Sequence, residues 1–122
     1  MVDHGEGAAR SSEEQDNFSR TFGLNEPLLD YNVCSLVSGQ SRRNGVLYLT
    51  NNHLCFRIDN EATLLLSLRD VVAVERAHGT HLLDGDLIRV ATRQRAWLFG
   101  PSSRREKLYS LIHSVRGFAN PF

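Results

Sequence analysis

The feature that most constrains the fold is an alternation of apolar and polar side chains along residues 45–58. Apolar residues share one face before and after a pair of asparagines, at Leu47, Leu49, Leu54, Phe56 and Ile58. This period of two is typical of a half-buried antiparallel strand pair. Asn51 and Asn52 can close a tight turn because asparagine tolerates positive φ. The stretch therefore predicts a core hairpin in an all-β domain.

Shorter segments rich in alternating or β-branched residues predict more strands on both sides of this hairpin. They lie at 30–37, 63–68, 71–77, 87–92 and 96–99. The leucines of 63–68 leave that segment open between strand and helix. Residues 38–44 are polar, include a glycine, and predict a loop.

The carboxy-terminal segment predicts one amphipathic helix. Its apolar residues recur at helical spacing, at Leu108, Leu111, Ile112 and Val115. Pro101 suits a helix entry, Ser103 with Glu106 matches a capping box, and Gly117 predicts the end. Seven short strands followed by one helix fit an antiparallel barrel or sandwich that the helix closes.

The chain of 122 residues is long enough for one domain. Residues 1–15 lack periodicity and predict a disordered tail, residues 16–118 form the domain, and residues 119–122 form a second tail. Asp16 can cap a short helical turn that ends at Phe22. Phe18 and Phe22 lie four residues apart, and we expect them to anchor this segment on the sheet. Their insertion into lipid is the alternative.

The run GVLYLTNNHLCF at 45–56 resembles the central signature of the GRAM domain, a relative of the pleckstrin-homology fold. Further matching segments follow in family order, at 18–29, 31–36, 64–77 and 88–100. The resemblance covers residues 18–116. It implies a mainly β, pleckstrin-homology-like barrel or sandwich of about seven antiparallel strands capped by one C-terminal α-helix, with residues 63–68 as a strand.

Two segments, 64–76 and 90–99, are most similar to the GRAM repeats that precede the TBC domain of certain Rab GTPase-activating proteins. That similarity implies a regulatory fragment whose GTPase-activating chemistry lies elsewhere. Family members are associated with phosphoinositides, phosphatidylserine and sterol-containing membranes, usually as one part of a larger protein.

Formal charge is zero overall but unevenly distributed. Residues 1–30 contain seven acidic and two basic residues, whereas residues 31–122 contain twelve basic and seven acidic residues. The basic part fits either ordinary solvated charge or binding to an anionic surface. Nucleic acid is not the expected partner, because aromatic residues do not alternate with the cations.

The first candidate site is Arg42 with Arg43, in the predicted loop 38–44. Pleckstrin-homology relatives commonly place phosphoinositide-binding cations at this end of the barrel, and two guanidiniums could bind a phosphate there. However, the stretches 35–38 and 46–50 lack the basic residues of the usual inositide pattern. The resemblance therefore implies electrostatic contact with anionic lipid rather than stereospecific recognition. A solvated turn is the alternative.

A second basic group lies near the carboxy terminus. It consists of Arg93, Arg95, Arg104, Arg105 and Lys107. Two of these residues fall on a predicted turn and three at the start of the helix, where cations oppose the helix dipole. We predict that the group contributes to lipid binding, with simple solvation as the alternative.

Catalysis and cofactor binding are not expected. His78 and His81 could face a metal with Asp84 and Asp86, but this is a loop without three ordered ligands, so no metal site is predicted. The sequence contains no nucleophile elbow and no phosphate-binding glycine loop.

The cysteines and the hydropathy of the chain predict its cellular location. The two cysteines, Cys34 and Cys55, are predicted to be buried reduced thiols, with a disulfide as the alternative. No apolar run reaches 18 residues and no signal peptide is present, which predicts a cytoplasmic protein whose membrane contact is peripheral. Two functions stay open: a module that binds anionic membrane lipid, and a protein-interaction or scaffold module without lipid affinity.

Overall fold

A computed structural model of the protein describes residues 4–78, 86–101 and 104–117. Two α-helices and seven strands follow one another, with a short 3-10 turn at Leu68–Asp70. They are α1 (His4–Phe22), β1 (Asp30–Ser38), β2 (Ser41–Leu49), β3 (His53–Ile58), β4 (Glu61–Ser67), β5 (Ala73–His78), β6 (Asp86–Ala91), β7 (Ala96–Gly100) and α2 (Arg105–Arg116). The strands form one sheet in the order β4-β3-β2-β1-β7-β6-β5, and every described pairing is antiparallel.

This architecture confirms the predicted fold. Residues 63–68, which periodicity alone left ambiguous, belong to β4 up to Ser67. The core hairpin pairs Leu47 with Phe56 and Leu49 with Leu54, so the alternating apolar residues meet on one face. We call this the inner face, since all four side chains belong to the main hydrophobic core.

Helix α2 closes the core. Leu108 and Ile112 are buried in it, and the more exposed Leu111 and Val115 pack against its margin. The helix ends at Gly117, which adopts the left-handed conformation and donates its N–H to the carbonyl of His113, as the sequence predicted.

The predicted capping box at the start of α2 is wrong. Arg104 occupies the N-cap position and makes no side-chain cap. The carboxylate of Glu106 instead forms an ion pair with Arg76 on β5, at 2.7 Å. Ser103 itself lies outside the described residues, as do the predicted tail 119–122 and two of the loop residues weighed for a metal, His81 and Asp84.

The turn between β2 and β3 forms where predicted, but by a different device. Asp59 is the non-glycine residue with positive φ in the described chain, so Asn51 and Asn52 do not use that conformation. The hydroxyl of Thr50 accepts hydrogen bonds from the N–H groups of Asn52 and His53, at 3.1 and 2.9 Å. A threonine hydroxyl can organise a turn in this way without requiring positive φ.

Helix α1 is the main difference from the predicted organisation. It begins at His4, whereas the sequence predicted a disordered tail through residue 15. The side chain of Gln15 accepts a hydrogen bond from the N–H of Leu28 and donates one to the carbonyl of Glu26. The helix is therefore tied to the segment that leads into β1, a long-range interaction that local composition does not report.

The outer face of β1–β3 carries a second, smaller core beneath α1. Phe18, Tyr48 and Cys55 are fully buried there. The ring centroid of Phe18 lies 5.6 Å from that of Phe22 and 5.5 Å from that of Tyr48. Phe18 and Phe22 thus anchor α1 on the sheet, as predicted.

Both cysteines are free and buried, as predicted for their burial. Burial raises the pKa of the Cys34 thiol to about 12. Burial, with a smaller contribution from the Glu26 carboxylate, raises the pKa of Cys55 to about 12 as well. Thiols of this kind stay protonated at neutral pH and are poor nucleophiles.

Candidate functional site

The two ends of the sheet differ in what covers them. Strand β1 runs about 26 Å, at ~3.3 Å per residue, from Asp30 to Ser38. Arg104, at the start of α2, contacts the Asp30 carboxylate at 2.8 Å, so α2 closes that end. At the other end lie the β1–β2 turn and the β6–β7 turn, because Val37 of β1 pairs with Leu98 of β7. We call this second end, formed by residues 38–43 and 92–97, the open end.

Arg42 and Arg43 lie at the open end, but not in a loop. The predicted loop 38–44 is a two-residue turn, and β2 already begins at Ser41. Arg43 pairs with Leu36 on the inner face, whereas Arg42 pairs with Val37 on the outer face. Neighbouring residues of a strand point to opposite faces, so the two guanidiniums do not converge on one phosphate from the same side.

Arg93 and Arg95 lie on the neighbouring β6–β7 turn. The hydroxyl of Thr92 accepts a hydrogen bond from the N–H of Gln94, at 3.2 Å, and the N–H of Thr92 donates to the carbonyl of Arg95, at 2.9 Å. The guanidinium of Arg95 lies over the Trp97 ring, 5.0 Å from its centroid. This cation–π contact holds one of the two exposed guanidiniums at the rim of the barrel.

Acidic residues flank the open end on both sides of the sheet. Chain segments 31–58 and 87–105 contain no aspartate or glutamate. Asp59 and Glu61, in and just after the β3–β4 turn, are exposed at the same end of the sheet, beyond β2 and β3. On the other side, the exposed Glu75 of β5 forms an ion pair with Arg89 at 2.7 Å, level with the pairing of Val37 and Leu98. Four arginines on β2 and the β6–β7 turn therefore form a basic rim with acidic residues at both edges.

The other three predicted cations lie at the opposite end, so the second basic group is divided. Arg104 donates to the carboxylate of Asp30 and, at 3.3 Å, to the carbonyl of Tyr31. Arg105 forms ion pairs with Asp86, at 3.6 Å, and with Glu106, at 3.2 Å. Lys107 is exposed on the first turn of α2. Arg104 and Arg105 thus join α2 to the strand ends.

A polar network that the sequence did not indicate lies beside the β2–β3 turn. The Glu26 carboxylate accepts a hydrogen bond from Thr50 Oγ1 at 2.6 Å and lies 2.9 Å from Nδ1 of His53. Burial raises the pKa of Glu26, but these two contacts outweigh it and leave that pKa below its usual value. Glu26 lies 24 residues before Thr50 and 27 before His53, so spacing along the chain carries no signal for this network.

No group of three or more His, Cys, Asp or Glu side chains arranged for a metal occurs in the described part of the chain. His78 and Asp86 approach to 3.7 Å, but both side chains are exposed at a strand end.

Neither helix, over its described residues, is long and apolar enough to cross a membrane.

Comparison with known families identifies a match over nearly the whole chain. The family model for the GRAM domain matches residues 12–121. This match includes the core hairpin, the open end and both described helices from residue 12 onward.

Several solved structures share the fold of this chain. The C-terminal domain of an unknown protein from Leishmania infantum superposes with a TM-score of 0.69 and 21% identity, over 86% of this chain and 95% of that one. A structure of the linker-DH/PH domains of p115-RhoGEF gives a TM-score of 0.60 and 15% identity, over 79% of this chain. A structure of Vav1 with an allosteric inhibitor superposes with a TM-score of 0.61 and 11% identity, over 96% of this chain.

The last two matches are to longer proteins. The chain covers 30% of the p115-RhoGEF structure and 35% of the Vav1 structure. At these identities the likeness shows a shared pleckstrin-homology-type fold and leaves the chemistry of the site to this chain's own residues.

Proposed function

Because this chain belongs to the GRAM domain family, we propose that it is a non-catalytic module that binds an anionic membrane surface through its open end. GRAM and pleckstrin-homology-like folds fit a membrane- or protein-interaction module. The observation that carries the proposal is the register, which brings Arg42 and Arg43 on β2 to the same end as Arg93 and Arg95. The closing helix occupies the opposite end and leaves this rim facing outward.

Electrostatics sets the expected strength of binding. A basic residue near an anionic leaflet contributes about 1 kcal/mol, an attraction that decays within roughly 8 Å at physiological ionic strength. Four arginines at the start of β2 and on the neighbouring β6–β7 turn can approach a flat surface together. The guanidiniums of Arg42 and Arg43 lie on opposite faces of β2, which suits several separate headgroups better than one multiply phosphorylated headgroup.

A protein-interaction module without lipid affinity is the second candidate function. Residues 35–38 and 46–50 contain no cation, so the strands lack the basic residues common in inositide-binding relatives. The finer hypothesis of a regulatory GRAM repeat from a TBC-type Rab GTPase-activating protein belongs to this candidate. It rests on segments 64–76 and 90–99.

The test is co-sedimentation with vesicles of graded phosphatidylserine content, at low and at high salt. The variants are Arg42→Ala/Arg43→Ala and Arg93→Ala/Arg95→Ala, and the control is Lys107→Ala at the opposite end. Removing two rim cations should weaken binding about 30-fold, from ~1 kcal/mol per residue and a tenfold change per 1.4 kcal/mol. The control should bind like the unmodified protein.

Binding that falls with salt and with both double substitutions supports the membrane proposal. If Lys107→Ala weakens binding as much as the rim variants do, the membrane contact does not lie at the open end. If the protein sediments with no vesicle composition, the membrane proposal is wrong and the protein-interaction function is favoured. A pull-down with and without the rim substitutions then tests whether the same end binds a protein.

A further inference from the structure

A second polar cleft lies outside the open-end rim, between α1 and the β3–β4 turn. It has a volume of about 400 Å³ and is lined by Asn17, Arg20, Thr21, Arg57 and Asn60. This size falls within the range of small-molecule sites. Two of its five lining residues are arginines. The Glu14 carboxylate lies beside the cleft and contacts two further lining groups, Nδ2 of Asn17 at 3.4 Å and Nη2 of Arg57 at 3.7 Å.

The α1 side of the cleft is a single helical face. Asn17, Arg20 and Thr21 are spaced i, i+3 and i+4, which places their side chains next to one another. Nη2 of Arg20 donates to Oδ1 of Asn17 at 2.5 Å. The buried Phe18 of the same turn fixes this face against the sheet. The helix therefore presents a guanidinium, an amide and a hydroxyl together.

Arg57, on the sheet side, is largely buried and is held in place by two neutral groups and by one carboxylate. Its Nε donates to the Tyr48 hydroxyl at 3.0 Å, and its Nη1 donates to the carbonyl of Asp59. The nearest carboxylate is that of Glu14, which lies 3.7 Å from Nη2, beyond hydrogen-bond distance. Glu14 hydrogen-bonds instead to the Tyr48 hydroxyl, at 2.7 Å.

We propose that this cleft binds a phosphate monoester group. A guanidinium has five N–H donors in a planar fork, so Arg57 can keep its contacts to Tyr48 and Asp59 and still donate from Nη2 to a phosphate oxygen. Arg20 supplies a second positive charge from the opposite wall. Thr21 and Asn60 supply neutral donors that suit the remaining oxygens. The Asn17 amide donates to Glu14 and accepts from Arg20, so it positions the Arg20 guanidinium at the wall of the cleft.

The placement of the two arginines supports a bound anion. Both line the same small cleft from different elements, which disfavours the empty state through like-charge repulsion. The Glu14 carboxylate balances part of the charge on Arg57 from the side of Tyr48. Two arginines and one carboxylate leave a net charge of about +1 beside the cleft, which attracts a phosphate anion.

The inference is independent of membrane binding at the open end. Arg57 pairs with Val46 on the outer face, about 13 Å along the strand from the Arg42 position at ~3.3 Å per residue. Three residues that line the cleft belong to α1, whereas the open end is formed by strands and turns of the sheet. Substituting the rim should therefore leave a soluble phosphate ester bound.

The phosphate could belong to a soluble metabolite or to a lipid headgroup, and two probes separate these sources. Glycerol 3-phosphate, followed by ¹H–¹⁵N NMR titration, represents the free monoester. Vesicles containing phosphatidic acid present the same monoester on a lipid, and phosphatidylglycerol vesicles present a diester as the control. The variants are Arg20→Ala and Arg20→Lys, with Arg69→Ala as a control at another exposed arginine.

We expect Arg20→Ala to weaken monoester binding about tenfold or more, because a charge-assisted hydrogen bond and a charge are lost together. Arg20→Lys should retain part of the affinity, and Arg69→Ala and Arg42→Ala/Arg43→Ala should leave glycerol 3-phosphate binding unchanged. Shifted amide signals should include those of Thr21 and Asn60.

The outcomes are distinct. Loss of glycerol 3-phosphate binding in Arg20→Ala supports a soluble ligand, and loss confined to phosphatidic acid vesicles supports a lipid headgroup. Equal binding of the diester control, or an equal effect of Arg20→Ala and Arg69→Ala, would overturn the proposal. Absence of binding to either monoester probe would overturn it as well.

Discussion

Replacing Phe18 with alanine tests whether α1 is an integral part of this domain. The Phe18 side chain is fully buried, and its ring lies 5.5–5.6 Å from the rings of Tyr48 and Phe22. Phe→Ala substitutions at buried sites cost about 3–5 kcal/mol through lost burial and the cavity that remains. Because domains are stable by only about 5–15 kcal/mol, Phe18→Ala should lower the free energy of unfolding by a large fraction of the total.

Urea denaturation followed by far-ultraviolet circular dichroism and by Trp97 fluorescence measures this change. If α1 unfolds with the sheet, both signals should shift together to a lower midpoint. If α1 detaches first, the helical signal should be lost early, and amide hydrogen exchange should speed up in α1 before the core strands. Either result shows that Phe18 fixes α1 on the outer face.

Phe22→Ala is the matched control on the same helix. Phe22 is only half-buried, so its removal should cost clearly less than that of Phe18. The reasoning fails if Phe18→Ala costs less than about 1 kcal/mol, the typical effect of an ordinary substitution, and leaves exchange in α1 unchanged. Helix α1 would then not be packed on the sheet as the structure has it.

Three further predictions follow from single sites. Gly45→Ala should destabilise the fold by about 1–3 kcal/mol in urea denaturation, because the added Cβ would lie 2.7 Å from the Phe56 ring and closer still to a backbone carbonyl; an unchanged midpoint would contradict this. Burial raises the pKa values of Cys34 and Cys55 to about 12, so both thiols should react with a thiol reagent only on unfolding. The free energy of unfolding should fall as pH rises above 9, because only the unfolded thiols release protons there. Glu26→Gln should lower the free energy of unfolding at neutral pH. Because the folded state lowers the pKa of Glu26, its carboxylate stabilises the fold at pH values above the usual pKa, and this contribution disappears as pH falls through the folded pKa. The effect of the substitution should therefore vanish in acid, and a pH-independent penalty would contradict this.

The sequence predicted which basic residues form the candidate rim but not how they are arranged in space. The sequence indicated Arg42, Arg43, Arg93 and Arg95 as basic residues near turns, and the register brings them to one end. It grouped Arg104 with them, although that side chain contacts Asp30 at the other end. Charge density along a chain does not show which cations have carboxylates as neighbours, because those neighbours come from distant segments.

The cleft beneath α1 was not predictable at all. Its lining residues come from the first helix, the third strand and the turn after it, and none has an unusual local context. The sequence also placed residues 1–15 in a disordered tail, because weak local periodicity was the available signal. What orders the end of that segment is its contact with Leu28, Tyr48 and Arg57, residues far along the chain.

The sequence by itself determined the strands, the closing helix and the family. Alternation along 45–58 and the helical spacing of Leu108 to Val115 are local patterns, and local patterns report which face of an element is buried. Only the tertiary structure decided which face of β2 each arginine occupies, where α1 packs and which cations are paired. These properties depend on strand register and on contacts between distant residues, and a shift of one residue in register would reverse every face.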